Sequence, residues 1–241
     1  MTRPKLVEEI VEAHGGVERW RKVAALEVEL SAQGFLFAMK RVQRLDKVRV
    51  EASCTEPRLV LHNFPVAGQS GEFRGEAEVV ILDGAGTVLA QRSNPRAQFG
   101  GFRRLFYWDH LDFLYFAGYA TWGYLMTPFL FLQDGFRFEE APSGDYAKKL
   151  IVTFPADIAS HCRRQEFYFD EQLLLRRLDY TAEVVGGWAK AAHFCDDYQD
   201  FAGLKISTRR RVRPLFIGNT PAPWPTLVAI DIHRLRVVPF K

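Results

Sequence analysis

The chain has 241 residues, 48% of them hydrophobic and 25% charged, the balance of an ordinary globular protein long enough to bury its own core. A formal net charge of +3 is too weak a bias for an electrostatic footprint on nucleic acid, and no such partner is expected. Three widely spaced cysteines, Cys54, Cys162 and Cys195, form no CxxC pair, so neither a disulfide framework nor a metal site is expected, and reduced thiols in a cytoplasmic protein are the simplest reading.

In chain order, residues from about 4 to 24 read as helix. Val7, Ile10, Val11 and His14 recur at helical spacing opposite Glu8, Glu9 and Glu12, with Thr2 as a candidate N-cap and Gly15-Gly16 as a break. From about 25 to 93 the period becomes two: Leu26, Val28 and Leu30 alternate with Glu27, Glu29 and Ser31, and further short strands follow at Val48–Val50, Leu59–Leu61, Glu78–Leu82 and Thr87–Gln91. Gly34, Leu45 to Lys47, Pro57, Pro65 to Gly71 and Asp83 to Gly86 read as turns. A helical insertion is expected over about 95–132, its long helix starting near Trp108 or Asp109 and ending at Pro128. A second meander of seven strands occupies about 136–240. The pattern predicts one domain over 1–241, mainly β: a curved antiparallel half-barrel sheet of about ten strands or more, with the N-terminal helix and the insertion packed on its concave face.

Phe113 to Leu132, FLYFAGYATWGYLMTPFLFL, contains no charged residue and is long enough to cross a bilayer. A helix apolar all round is buried either in lipid or in protein. Tyr115, Tyr119 and Tyr124 lie along the run rather than at its ends, no second apolar run accompanies it, and both flanks read as one β system. These features predict a buried helix and no transmembrane span.

The N-terminal helix bearing AHGGVERW, the strands, the inserted aromatic helix and the second set of strands together resemble the bacterial lipoprotein-localization superfamily. WDHLDFLYFAGYATWGYLMTPFLF, FPADIASHCRRQEFYFD, LLRRLDYTAEVVGG and TRRRV look like an uncharacterised bacterial family within it. The resemblance covers most of Trp108 to Val212 and the AHGG opening. It implies a half-barrel whose concave face is plugged by helices and whose apolar cavity holds acyl chains. The start of this sequence shows neither an export signal nor a lipobox cysteine.

Strand alternation sorts residues by face. Assigning the more apolar faces inward brings His161, Arg163, Gln165, Phe167, Arg176, Tyr180, Asp196, Tyr198 and Arg210 toward the cavity, with Arg210 or Arg176 pairing Asp196. Tyr115, Tyr119, Trp122 and Met126 recur at helical spacing and supply a further wall. His161 is the expected proton-transfer group, Tyr180 an oxyanion donor, and Arg210 a partner for a ligand carboxylate. There is no P-loop, dinucleotide fingerprint or nucleophile elbow, and no cofactor is expected. The functional expectation is a hydrophobic small molecule bound in an apolar cavity. The chemistry expected on it is cofactor-independent proton transfer, as in isomerisation or cyclisation of a polyketide-like or lipid-like substrate. The alternative is a non-catalytic carrier of a lipid-like ligand.

Overall fold

A computed structural model describes residues 3–240; the candidate cap Thr2 lies outside them. Helices α1 (Lys5–Ala13) and α2 (Val17–Trp20) lead into strand β1 (Val23–Gln33), a short helix α3 (Phe35–Lys40), and strands β2 (Leu45–Ser53), β3 (Arg58–His62), β4 (Ser70–Arg74), β5 (Glu78–Leu82) and β6 (Val88–Ser93). A short helix α4 (Arg103–Phe106) and the long helix α5 (His110–Met126) follow. The chain then forms β7 (Arg137–Ala141), β8 (Lys148–Thr153), β9 (Arg164–Phe169), β10 (Leu175–Thr181), β11 (Lys190–Phe201), β12 (Leu204–Pro214) and β13 (Val228–Pro239).

All the strands belong to one antiparallel sheet in the order β6-β5-β4-β3-β2-β1-β13-β12-β11-β10-β9-β8-β7. Two meanders therefore meet at β1 and β13, and the outermost strands β6 and β7 do not pair with each other, so the sheet stays open as a half-barrel. Several segments differ from the sequence reading, among them β2, which takes in the turn expected at Leu45 to Lys47. β4 forms partly within the turn expected at Pro65 to Gly71, where Ser70 and Gly71 pair with Leu82 and Ile81. α3 forms inside the expected strand region because Gly34, at φ 147°, turns the chain out of β1. The free amides of Phe35 and Leu36 then donate to the carbonyls of Thr226 and Leu227, both at 3.0 Å, satisfying donors that any helix start leaves open.

The apolar run is a buried helix. Among the described residues no helix is long and apolar enough to cross a membrane. Asp109 caps α5: it accepts from the Asp112 amide at 2.8 Å, and the Asp112 carboxylate accepts from the Asp109 amide at 3.1 Å. Arg92 closes this start with bonds to Asp109 (2.8 Å) and Asp112 (2.6 Å). The helix is buried on every side because β2 to β6 cover one face while the second meander reaches the other through His161 and Arg210. Gly118 sets the approach to the sheet, since a Cβ there would overlap the Phe73 side chain on β4. α1 packs into the core along one face. Its Leu6, Val7, Ile10 and Val11 are buried, the Arg3 guanidinium donates to the Phe131 and Leu132 carbonyls, and Trp20 stacks on Phe129 at 4.2 Å.

A cavity beside a tyrosine–histidine chain

An apolar cavity lies to one side of α5, with Phe116 of that helix in its wall. Its volume is about 330 Å³, within the usual size of a small-molecule site. α3 forms one wall with Phe35, Leu36 and Met39, and α5 contributes Phe116. The ends of β10 to β13 and their connections supply Ala182, Trp188, Ala191, Val212, Phe216 and Leu227. α3 is pinned at both ends: by the amide bonds to Thr226 and Leu227, and by Lys40, whose ammonium donates to the Arg104 and Leu105 carbonyls at 2.7 and 2.8 Å. Burial lowers the Lys40 pKa to about 8, with Arg104 adding to the effect.

Large aromatic side chains stand in solvent around the mouth. Trp188 is 68% exposed, Phe216 62% and Phe35 45%. Trp224, 76% exposed, lies with its ring centroid 6.4 Å from that of Phe35. Exposed aromatics singly are unremarkable, but a cluster rimming an apolar hollow marks an interaction site.

His161 and Tyr180 form the polar part of the wall. Their rings stack at 3.8 Å, 4° from parallel. The His161 imidazole is held between two phenols: Tyr119 at 3.1 Å from Nδ1 and Tyr124 at 2.6 Å from Nε2. The Tyr124 hydroxyl also meets that of Tyr180 at 3.1 Å. Burial, with Arg96 nearby, takes the imidazole down to about 3, so it is neutral at physiological pH. Burial pushes the phenols of Tyr119, Tyr124 and Tyr180 up, and all three keep their protons. The loop bearing His161 is fixed from behind by Arg96, which donates to the Ser160 carbonyl at 2.8 Å and pairs with Glu183 at 2.7 Å.

The remaining residues named from sequence take other positions. Arg210 sits behind Tyr124, donating to the Cys195 Sγ and the Tyr124 carbonyl, both at 3.2 Å. Tyr119, Gln165 and Phe167 line a separate void of about 20 Å³ with His161 and Tyr124. Tyr115 donates to Glu76, and Trp122 to the Ser53 carbonyl; Met126 is buried in the core. Arg163 donates to the Phe154 carbonyl, Tyr198 to that of Leu175, and Arg176 pairs with Asp170.

The expected inward face of β11 is corrected. Cys195 lies opposite Arg210, and His193 opposite Val212 and Leu178; directly opposed residues share a face. His193 and Cys195 therefore point inward, while Phe194 and Asp196 point outward. Asp196 makes no ion pair with Arg176 or Arg210 among the described residues. Phe194, less buried than its neighbours, instead carries the guanidinium of Arg213 over its ring at 5.6 Å. Sequence reasoning also missed the rim. Part of its signal was present: Trp188, Phe216 and Trp224 sit in segments dense in Gly or Pro, where a large aromatic is not filling a strand face.

Among solved structures, the chain is similar to a LolA superfamily protein from Nitrosomonas europaea, with a TM-score of 0.54 and 8% identity over 100% of this chain and 96% of that one. It is also similar to a DUF1329 family protein from Desulfovibrio piger, with a TM-score of 0.50 and 12% identity over 96% of this chain and 91% of that one. No family model and no curated protein matches the sequence. The fold is thus LolA-like, and at these identities the likeness extends to the fold alone.

Proposed function

We propose that this LolA-like half-barrel binds a hydrophobic small molecule or acyl chain in the cavity beside α3, as a binder or carrier. The observation that carries this reading is the cavity of about 330 Å³ with an almost wholly apolar wall, opening between exposed Phe35, Trp188 and Phe216. Apolar walls supply affinity and a few polar groups supply orientation.

Proton-transfer catalysis on the same ligand is the second reading, supported by His161 and Tyr180 in the wall. It is the weaker one. Both imidazole nitrogens already meet tyrosine hydroxyls, and a pKa of about 3 is far from the value at which a general base works at neutral pH. Arg210, behind Tyr124, is not among the cavity residues. Three free cysteines fit a reducing compartment, and the cytoplasm is the proposed location.

The test is titration with the environment-sensitive probe N-phenyl-1-naphthylamine, comparing the wild type with Ala191→Leu and Ala182→Leu, which fill the cavity. Saturable binding to the wild type and at least tenfold weaker binding to variants with unchanged near-UV circular dichroism are expected. Equal binding to filled and unfilled cavities refutes the assignment.

A further inference from the structure

The chain Tyr119–His161–Tyr124–Tyr180 has a proton count that does not close. Three hydroxyls and one neutral imidazole carry four N–H or O–H protons between them. Their mutual contacts number three: Tyr119 to Nδ1, Nε2 to Tyr124, and Tyr124 to Tyr180. Each contact uses one proton, and no other hydrogen bond is made by these four side-chain groups among the described residues. One donor is therefore always left over, in side chains that are nearly fully buried, where an unused donor is costly.

The geometry allows the surplus to sit at either end; a third arrangement, with Nε2–H and Tyr180 both donating to Tyr124, leaves it on Tyr124, which is not in the ligand cavity, so a ligand carbonyl draws it to Tyr180. In one arrangement Tyr119 donates to Nδ1, Nε2–H donates to Tyr124, Tyr124 donates to Tyr180, and the Tyr180 proton is free. In the other, Tyr180 donates to Tyr124, Tyr124 to Nε2 and Nδ1–H to Tyr119, leaving the Tyr119 proton free. The two hold the same four protons. They differ in the imidazole tautomer and in the direction of the hydroxyls. The Tyr119 end borders the void of about 20 Å³, room for about one water. The Tyr180 end borders the ligand cavity.

We infer that Tyr180 is the polar anchor of the cavity, and that the ligand it selects is a hydrophobic molecule carrying an uncharged oxygen, a ketone, ester or alcohol. This rests on the ligand-binding reading above. A carbonyl accepts the surplus Tyr180 proton and fixes His161 as the Nε2–H tautomer. A hydroxyl is served in either arrangement, because Tyr180 accepts from it when the chain runs the other way. An ionised carboxylate is disfavoured at this depth: the anchor pair is neutral, and an unpaired buried charge costs far more than a neutral oxygen. Lys190, exposed at the cavity's edge, is the group a carboxylate would seek instead. Tyr119 acts as a positioning residue. Without its hydroxyl, the Nδ1–H tautomer has a buried donor with no acceptor, and the imidazole settles as the Nε2–H tautomer, the form that can free a proton on Tyr180.

The experiment measures binding of nonane, 2-nonanone, 2-nonanol and nonanoate at neutral pH, by displacement of N-phenyl-1-naphthylamine. 2-Nonanone and 2-nonanol are expected to bind about threefold to tenfold tighter than nonane, the worth of one net hydrogen bond, and nonanoate weaker than 2-nonanol. Tyr180→Phe keeps the ring that stacks on His161 and is expected to bring the ketone-to-alkane ratio to about one. Independently of any variant, the imidazole ¹⁵N shifts of His161 are expected to move to the Nε2–H pattern on adding 2-nonanone, and to stand there already in Tyr119→Phe. Nonane binding as tightly as 2-nonanone, or a ratio that survives Tyr180→Phe, overturns this inference and leaves the hydrophobic-ligand reading intact. Nonanoate binding tightest also overturns it and moves the anchor to Lys190. Failure of all four to bind removes the cavity reading and this inference together.

Discussion

The fold buries three histidines in neutral form, and acid should unfold it well above the carboxylate range. His14, His161 and His193 are 2%, 3% and 0% exposed. Burial lowers His14 to about 4, against the pull of its bond to the Ile10 carbonyl, and His161 to about 3. It holds His193 well below its ordinary 6.5, helped by Arg210 and His161. An unfolded chain takes up these protons as pH drops through about 6.5, while the folded chain refuses them until much lower pH. Each histidine therefore contributes stability that is present above the unfolded pKa and is lost as pH falls below it. At pH 5.5 the loss is about 1.4 kcal/mol per group, about 4 kcal/mol for three; at pH 4.5 it reaches about 8 kcal/mol. A typical domain has about 5–15 kcal/mol in all. Urea denaturation at pH 7.5, 6.5, 5.5 and 4.5 measures this, and the midpoint should drop steeply below pH 6.5. Asp179, whose carboxyl burial raises, works in the opposite direction, so the histidine share is read from His161→Phe and His193→Phe, each removing about a third of the slope. A midpoint that stays level from pH 7.5 to 5.5, or variants with the wild-type slope, would refute the assignment of neutral buried imidazoles.

Four further outcomes follow from the packing. His193→Phe should stabilise the protein at neutral pH by about 1–3 kcal/mol, because neither ring nitrogen has a partner among the described residues and an orphaned buried polar group carries that penalty; a lowered melting temperature contradicts this. Gly118→Ala, favourable by about 1 kcal/mol in an exposed helix, should here cost about 1–3 kcal/mol, since the new methyl meets Phe73, as thermal unfolding would show. Asp112→Ala should cost about 1–3 kcal/mol, since it removes one of the two carboxylate partners of Arg92 and the bond to the Asp109 amide in the helix cap, and urea titration reads it directly. Stability should rise between pH 8 and 10.5, where the folded state has already released the Lys40 proton that the unfolded chain still holds, and Lys40→Met should flatten that rise.

The sequence was legible where one face of an element is buried and the other is not. β1 shows this: Leu26, Val28 and Leu30 are buried in strict alternation with less buried neighbours. α5 was legible through its cap, Asp109, and its stop at Thr127-Pro128. β11 was not, because Ala191, Ala192 and His193 are all buried; with both faces covered, periodicity carries no sign, and the face assignment slipped by one residue. α3 was hidden for another reason. FLFAMK is too short to show a helical period, and what fixes it is remote: the Thr226 and Leu227 carbonyls that take its amides. The cavity wall depends on α3, so it was out of reach of local pattern. His161 and Tyr180 were both expected beside the cavity, but their stacking was not, because His161 lies in the loop before β9 rather than on a strand face, and their link through Tyr124 needs the rotation of α5, which spacing alone does not give.

The position of β13 governs how such a chain can be made. The final strand is not at an edge but in the middle of the sheet, hydrogen-bonded to β1 over Val23 to Gln33 and to β12 over Arg209 to Val212. During synthesis the first meander and the second can each zip up from neighbouring strands, yet no strand pairing joins them until β13 leaves the ribosome. Two half-sheets, each with an unsatisfied edge at β1 or β12, must wait for it, and such edges invite pairing with other chains. Contacts between residues more than 200 positions apart also raise the contact order and slow the search. A nascent chain stopped short of Val228 would be a pair of open half-sheets with α5 spanning the gap, and the cavity would lack the wall built from Leu227 and Val228.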